Sequence, residues 1–198
     1  MLNSDALVEH LLTIRCQVGA TRLFIIGIDG PDCAGKSTLA RSLSAAIPEH
    51  YRSLHLDEYV DTRVLGLDRE SMSLETFLTS YFPTEVMAAT IRESAVTCQS
   101  QGVGCLVVEG MFLCRPQIRQ QFDYLLRLEI SESLVLKRAL ARDVGVLGPR
   151  EWVVRHYLGQ CIPAQRIYRS IAEPAIVAND VAVFLEEQGA WELRAGGA

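Results

Sequence analysis

The amino-acid sequence predicts an α/β fold of three layers, in which a parallel β-sheet lies between two layers of helices. Five short segments have the composition of strands, and most are almost entirely apolar, which is typical of strands buried on both faces. Segments with helical spacing of apolar residues lie between consecutive strands. This β-α alternation predicts a five-stranded parallel sheet with right-handed crossovers and helices on both faces.

The predicted elements follow one another with short connections. The strands are expected at 23–29, 51–57, 104–110, 122–130 and 181–185, and the helices at 4–18, 36–47, 83–101, 116–121, 131–142 and 150–170. Residues 58–82 have no steady period and are expected to form a loop-rich insertion with one or two short helical turns. The C-terminal tail is expected to fray. We therefore expect one domain over 1–198, with a small lid at about 142–152.

Composition excludes several classes of protein. The 198 residues are 49% hydrophobic and 22% charged, which suits a globular protein with a sizeable core. The net charge of −5 argues against a broad nucleic-acid surface. No apolar run approaches the roughly 18 residues of a membrane span, and the N-terminus lacks a signal-peptide pattern. Six cysteines without a CxxC pair indicate reduced thiols. We expect a cytoplasmic protein with neither nucleic-acid nor membrane partners.

Residues Gly30–Ser37 read GPDCAGKS and fit the phosphate-binding pattern GxxxxGK[ST]. A buried strand is predicted before them and a helix after them, which is the context that this pattern requires. Backbone N–H groups and the helix N-terminus would bind phosphates, Lys36 would reach the β- and γ-phosphates, and Ser37 would bind Mg²⁺. The predicted ATP-binding residues are Gly30, Pro31, Asp32, Cys33, Ala34, Gly35, Lys36, Ser37 and Thr38.

Acidic side chains stand at the carboxyl ends of the predicted strands, where ligands bind in a parallel sheet. Glu109 follows the third strand and suits a Mg²⁺-binding role, directly or through water. Asp57 follows the second strand and could accept the proton of an attacking hydroxyl, with Glu58 as the alternative base. Turn or cap roles are the competing interpretations for these acids. Asp29 is left without a role beyond support of the phosphate loop.

Arginines follow the fourth predicted strand. Arg138 and Arg142 lie on its helix and Arg150 after a Gly/Pro break, where a closing lid could place them over a triphosphate. We expect Arg142 to be catalytic, Arg138 to bind ATP and Arg150 to bind the acceptor. A solvated helical face is the plainer interpretation of each.

The insertion after the second strand is the expected place for acceptor recognition, because it follows the predicted base directly. Aromatic rings there could stack on a ring of the acceptor, and arginine could bond its polar edge. The candidate residues are Glu58, Tyr59, Arg69, Tyr81 and Phe82. Packing of Tyr81 and Phe82 into the core is an equally good interpretation.

The segments GIDGPDCAGKSTLA, LDEY, VVEG and KRALARD occur in the order seen in the uridine kinase-like P-loop kinases, and the resemblance covers roughly residues 22–185. It implies the strand order 2-3-1-4-5. It also implies that Asp57 is the catalytic acid, Glu109 the metal-side acid and Arg142 a lid arginine. HYLGQCIP, at 156–163, resembles the QYxxxVxP segment of that family.

Two departures from the family pattern concern the acceptor. Glu58-Tyr59-Val60 stands where the family has a second acid followed by Phe-Tyr, and the lid lacks a basic ERGR-type sequence. The resemblance therefore implies an ATP- and Mg²⁺-dependent kinase for a small molecule. A nucleoside such as uridine or cytidine, phosphorylated on its 5′-hydroxyl, is the first expectation, and nicotinamide riboside, pantothenate or another small alcohol the second.

Two other classes remain open from the sequence. A regulatory nucleotide-dependent NTPase is one of them, and within that class a guanine-specific switch is disfavoured because a guanine-recognition NKxD sequence is absent. A nucleotide-binding protein without catalysis is disfavoured because Lys36, Ser37, Asp57 and Glu109 occur together. The chain could also form a homodimer.

Overall fold

A computed structural model of the chain describes residues 2–17, 22–47, 51–59, 73–76, 78–79 and 83–197. Its helices are α1 (Ser4–Gln17), α2 (Lys36–Ala46), α3 (Leu74–Thr76), α4 (Thr84–Ser100), α5 (Pro116–Arg119), α6 (Glu132–Asp143), α7 (Arg150–His156), α8 (Ile162–Ala172) and α9 (Pro174–Val177). A 3₁₀ turn covers Leu56–Tyr59 and a π-helical turn covers Tyr157–Cys161. The strands are β1 (Phe24–Asp29), β2 (Tyr51–His55), β3 (Cys105–Gly110), β4 (Tyr124–Glu129), β5 (Asp180–Leu185) and β6 (Ala190–Ala195).

One mostly parallel sheet lies between layers of helices, and within the described residues its strand order is β2-β3-β1-β4-β5-β6. The first five strands are parallel and have the expected order 2-3-1-4-5. The prediction that apolar strands are buried on both faces is confirmed for β3, because all six of its residues are buried. The carboxyl ends of β1, β2 and β3 therefore meet at one edge of the sheet.

The prediction of five strands and a frayed tail was wrong. Residues Ala190–Ala195 form β6, which pairs antiparallel with β5 and brings Trp191 opposite Phe184. The short connection contains Gly189 at φ 59°, a conformation that glycine adopts without strain. Trp191 is buried and its backbone also pairs with Leu2, so β6 joins the sheet to the N-terminal segment.

The helix predicted at 150–170 is interrupted. The π-helical turn at Tyr157–Cys161 separates α7 from α8, which has Pro163 in its first turn. Proline lacks an N–H and its ring crowds the preceding turn, so the regular hydrogen-bond ladder is broken at this point. The wider turn directs Tyr157 and Cys161 inward, where both are buried.

Asp29, at the end of β1, and Arg127, within β4, form a fully buried ion pair with Nη1 and Oδ2 2.8 Å apart. Asp29 also accepts hydrogen bonds from Leu113 N, Cys114 Sγ and Tyr168 Oη. Burial pushes the pKa of Asp29 up, but Arg127 and the hydrogen bonds outweigh burial and hold it below its ordinary value. Asp29 thus supports the loop after β3, rather than the phosphate loop as the sequence had suggested.

Replacing Arg127 by methionine is expected to lower the free energy of unfolding by about 3–5 kcal/mol, because the Asp29 carboxylate stays buried without its cation. The midpoint and slope of urea denaturation measure this loss. Arg166→Ala is the matched control, since it removes an exposed ion pair with Glu132 and should leave the free energy of unfolding nearly unchanged. Equal losses in the two variants would contradict the structural role of the buried pair.

Candidate active site

The phosphate-binding loop lies at the carboxyl end of β1 and leads directly into α2. Cys33 and Gly35 have positive φ angles of 60° and 97°, which turn successive backbone N–H groups toward one side of the loop. At Gly30 a Cβ atom would lie 3.0 Å from the Leu128 carbonyl oxygen, so the loop approaches β4 too closely for a side chain. The result is an anion-binding concavity at the N-terminus of an 11-residue helix.

Lys36 lies over this loop with only 5% of its side chain exposed. Its Nζ donates to the Pro31 carbonyl at 3.1 Å and lies 3.7 Å from Asp57 Oδ2. Lysine is a compact charge on a flexible stem, so the ammonium can leave these partners for a phosphate oxygen.

A hydrogen-bonded chain connects α2, β3 and β2. Ser37 Oγ donates to Glu109 Oε1 at 2.7 Å, and His55 Nδ1 lies 2.7 Å from the same oxygen. The other carboxylate oxygen, Glu109 Oε2, is buried and has no hydrogen-bond partner among the described residues. A hydroxyl beside a carboxylate with one free oxygen is the donor set that Mg²⁺ or its bound water prefers, so these residues fit that ion.

Asp57 follows β2 in the 3₁₀ turn and lies between Lys36 and the loop after β3. Its Oδ1 accepts from Met111 N at 3.0 Å, and about a third of its side chain is exposed. Burial raises the pKa of Asp57, Lys36 lowers it, and the carboxylates of Asp32 and Glu109 raise it further. The net pKa lies above the ordinary value, which makes Asp57 a better proton acceptor than a free carboxylate.

The segment predicted to be a lid joins α6 to α7 through a tight turn with a backbone bridge between Val144 and Gly148. Arg142, just before this turn, bonds Asp143 through Nε at 2.6 Å and Tyr157 Oη through Nη2 at 2.9 Å. Its Nη2 also lies 3.9 Å from Asp32 Oδ1 in the phosphate loop, and 55% of its side chain is exposed. Arg142 is therefore tethered beside the loop but remains open to solvent.

One open cavity of about 550 Å³ contains most of these groups. Its lining extends from Asp57 along the phosphate loop and Thr38 to Arg138, and then to Phe184 and Trp191. Arg138 Nη1 donates to the Cys33 carbonyl at 2.9 Å, and its guanidinium lies 5.0 Å from the centre of the Phe184 ring. The cavity is therefore lined by the phosphate loop in one part and by aromatic side chains in another.

Sequence reasoning missed several residues of this cavity and its surroundings. Phe184 and Trp191 come from the β5-β6 hairpin, and Ser4 and Leu7 come from the N-terminal helix α1. His55 was also missed, although it stands only two residues before Asp57. The alternation of apolar and charged residues in Trp191-Glu192-Leu193-Arg194 was an available signal for the hairpin strand; the sequence carries no local signal for the others.

The predicted acceptor residues are placed unevenly. Glu58 and Tyr59 are exposed in the 3₁₀ turn beside Asp57. Arg150 begins α7 and lines a separate surface depression with other α7 residues and with Leu158 of the π-helical turn, rather than the cavity of the phosphate loop. The remaining three predictions, Arg69, Tyr81 and Phe82, lie outside the described residues.

Two negative findings apply to the described residues alone. No group of three or more His, Cys, Asp and Glu side chains forms a metal cage, so Mg²⁺ would need phosphate or water to complete its coordination. None of the described helices has both the length and the apolar character needed to cross a bilayer.

The comparison with known proteins gives structural neighbours only. No family profile matches the chain, and no curated protein matches its sequence. A protein described as a possible uridine kinase from Bacillus stearothermophilus superposes with a TM-score of 0.67 at 16% identity, over 88% of this chain and 96% of that one. A provisionally named fructose transport system kinase from Silicibacter sp. TM1040 gives 0.64 at 18% identity, over 86% and 95%. The chain therefore has the fold of the uridine kinase-like P-loop kinases.

Proposed function

We propose that this protein is an ATP- and Mg²⁺-dependent kinase that transfers the γ-phosphoryl group to a hydroxyl of a small molecule. The observation that carries the proposal is the convergence of three groups beside the phosphate loop. Lys36 Nζ lies 3.7 Å from Asp57 Oδ2, and Ser37 Oγ lies 2.7 Å from Glu109 Oε1. A phosphate ligand, a proton acceptor and a metal-side carboxylate are the parts that phosphoryl transfer to a hydroxyl requires.

The donor would bind along the phosphate loop. The loop N–H groups and Lys36 would hold the β- and γ-phosphates, and Ser37 with Glu109 would hold a magnesium ion, which would neutralise charge on those phosphates. Arg142 would exchange its bond with Asp143 for the γ-phosphate as the lid closes. Arg138 and Phe184 would face the base at the aromatic end of the cavity.

Asp57 would accept or orient the proton of the attacking hydroxyl. Its place beside Lys36 favours it over Glu58, which is exposed and has no bond to the phosphate loop or to the loop after β3 among the contacts of the described residues. Proton transfer by a positioned carboxylate contributes about 10²–10⁴-fold to a rate.

The pH dependence of kcat/KM should reflect this assignment. Asp57 is a base only when deprotonated, and its pKa lies above the ordinary value, chiefly because of burial. Activity should therefore rise with pH through that raised pKa, within the range in which the protein stays folded. The expected acidic limb should be missing from the residual activity of an Asp57→Asn variant; an identical limb in both proteins would assign it to another group.

The preferred acceptor is a nucleoside such as uridine or cytidine, phosphorylated on its 5′-hydroxyl. Nicotinamide riboside, pantothenate and other small alcohols are the alternatives. Fructose joins the candidates because of the name of the second structural neighbour. Glu58, Tyr59, Arg69, Tyr81, Phe82 and Arg150 remain the candidate acceptor residues. Among the described ones, Glu58 and Tyr59 lie directly beside Asp57.

The test is a panel of these acceptors with ATP and Mg²⁺, with ADP release as the readout. The proposed kinase releases ADP only when its acceptor is present. Acceptor-independent hydrolysis would instead support the second candidate, a regulatory NTPase. Binding of ATP without ADP release across the whole panel would favour a nucleotide-binding protein without catalysis.

The cellular setting forms part of the proposal. We propose a cytoplasmic protein, which agrees with six cysteines that form no disulfide with one another. A small-molecule acceptor is its expected partner, and the net charge of −5 disfavours a nucleic acid. A homodimer is an additional expectation that sedimentation or light scattering would test.

A further inference from the structure

We propose that His55 is the positioning residue that orients the Glu109 carboxylate for the magnesium ion of the bound nucleotide. This inference rests on the proposed function and deepens it. His55 touches neither the phosphate loop nor the proposed acceptor base among the described contacts, so it would act entirely through Glu109.

Strand register places the two side chains together. His55 is the last residue of β2 and its Cα partner in β3 is Glu109. Neighbouring strands lie about 4.8 Å apart, so register partners in a parallel pair project from the same face at contact distance. The resulting Nδ1 to Oε1 distance is 2.7 Å, which is a short bond for a nitrogen donor.

The partners of the ring assign its proton. A carboxylate can only accept, so Nδ1 must carry the hydrogen of the bond to Glu109. The other nitrogen, Nε2, lies 3.2 Å from Ser53 Oγ, a hydroxyl that can donate to it. The neutral imidazole with hydrogen on Nδ1 satisfies both contacts, and Ser53 fixes the ring plane.

The bond from His55 makes the surroundings of the two Glu109 carboxylate oxygens different. Oε1 receives both the His55 and the Ser37 bonds, whereas Oε2 is buried and no described residue forms a hydrogen bond with it. Two donors on one oxygen fix the rotation of the carboxylate and leave the other as the free ligand for the ion or its water. Residues that orient a metal ligand in this way typically contribute 10–100-fold to metal affinity.

The exposure of His55 makes a clean test feasible. About 38% of its side chain is exposed, so its removal leaves no closed cavity in the core. Asparagine can place an amide N–H near the position of Nδ1, whereas glutamine extends it toward the position of Nε2. His55→Asn and His55→Gln are therefore a matched pair of similar polarity that differ in which ring nitrogen they imitate.

The experiment measures the dissociation constant of a non-hydrolysable ATP analogue in Mg²⁺ and in EDTA by calorimetry. In His55→Ala and His55→Gln the gain in affinity from Mg²⁺ should shrink by about tenfold or more. Affinity in EDTA should stay within about twofold of the wild type, because no phosphate contact changes. His55→Asn should keep most of the Mg²⁺ gain.

The outcomes separate this inference from the proposed function. If the wild-type protein binds the nucleotide with the same affinity in Mg²⁺ and in EDTA, that result would overturn the proposed metal site and this inference with it. A normal Mg²⁺ gain in the wild type and an equal gain in His55→Ala would overturn the role of His55 alone. Equal losses in the Asn and Gln variants would also overturn it, because packing of the ring rather than the Nδ1 bond would then be responsible.

Discussion

Replacing Asp57 by asparagine is expected to lower kcat for acceptor phosphorylation by about 10²–10⁴-fold. The amide keeps an oxygen that can accept from Met111 N, so the turn after β2 should stay in place. It cannot take a proton from a hydroxyl at neutral pH, so only that step is removed. Steady-state rates of acceptor phosphorylation, with the variant and the wild type at saturating ATP, measure the effect.

Folding and nucleotide binding provide the controls for this variant. Burial raises the pKa of Asp57 in the folded protein. At pH 7 the charged carboxylate is therefore less stable in the folded protein than in the unfolded chain, so its charge lowers the free energy of unfolding. Removing the charge should therefore leave Tm equal to or above that of the wild type. Unchanged turnover would contradict the base assignment, and Glu58→Gln would then be the next variant to measure.

Replacing Lys36 by methionine is expected to lower kcat by about 10²–10³-fold, the usual cost of losing one preorganised electrostatic donor in a site that excludes water. Methionine preserves most of the length and packing of a side chain that is 5% exposed. Affinity for ATP should also fall, because Lys36 would hold the phosphates in the ground state. Kinetics with varied ATP give kcat and KM separately.

Lys137→Met is the matched control, since it removes one exposed lysine from α6 and should leave both kcat and KM unchanged. Equal behaviour of the two lysine variants would contradict a specific role for Lys36. Lys36→Arg should fail to restore full activity, because the planar guanidinium cannot occupy the position of a compact ammonium next to the Pro31 carbonyl.

Much of the fold was predictable from local pattern, because a strand buried on both faces must be apolar along its whole length. That rule located β1, β3 and β4 to within a residue or two. It failed for β6, whose outer-edge position permits charged residues such as Glu192 and Arg194. The π-helical turn was also missed, although Pro163, which interrupts the hydrogen-bond ladder there, was an available signal in the sequence.

The site was predictable where chemistry depends on sequence neighbours. The phosphate loop is such a case, and the strand-end rule brought Asp57 and Glu109 to the same edge of the sheet. The contact of His55 with Glu109 depends on strand register, which no local pattern specifies. The cavity is also lined by Ser4 and Trp191, which are nearly 190 positions apart in the sequence. Only folding of the chain brings these two residues together.

Transfer of label from [γ-³²P]ATP tests the central claim most directly. The wild-type protein is incubated with Mg²⁺ and each acceptor of the panel, and labelled product is separated from labelled inorganic phosphate. The account predicts label in the phosphorylated acceptor for the wild type, with formation of that product reduced by about 10²-fold or more in Asp57→Asn. Label that appears only as inorganic phosphate, at a rate that no acceptor changes, would contradict it.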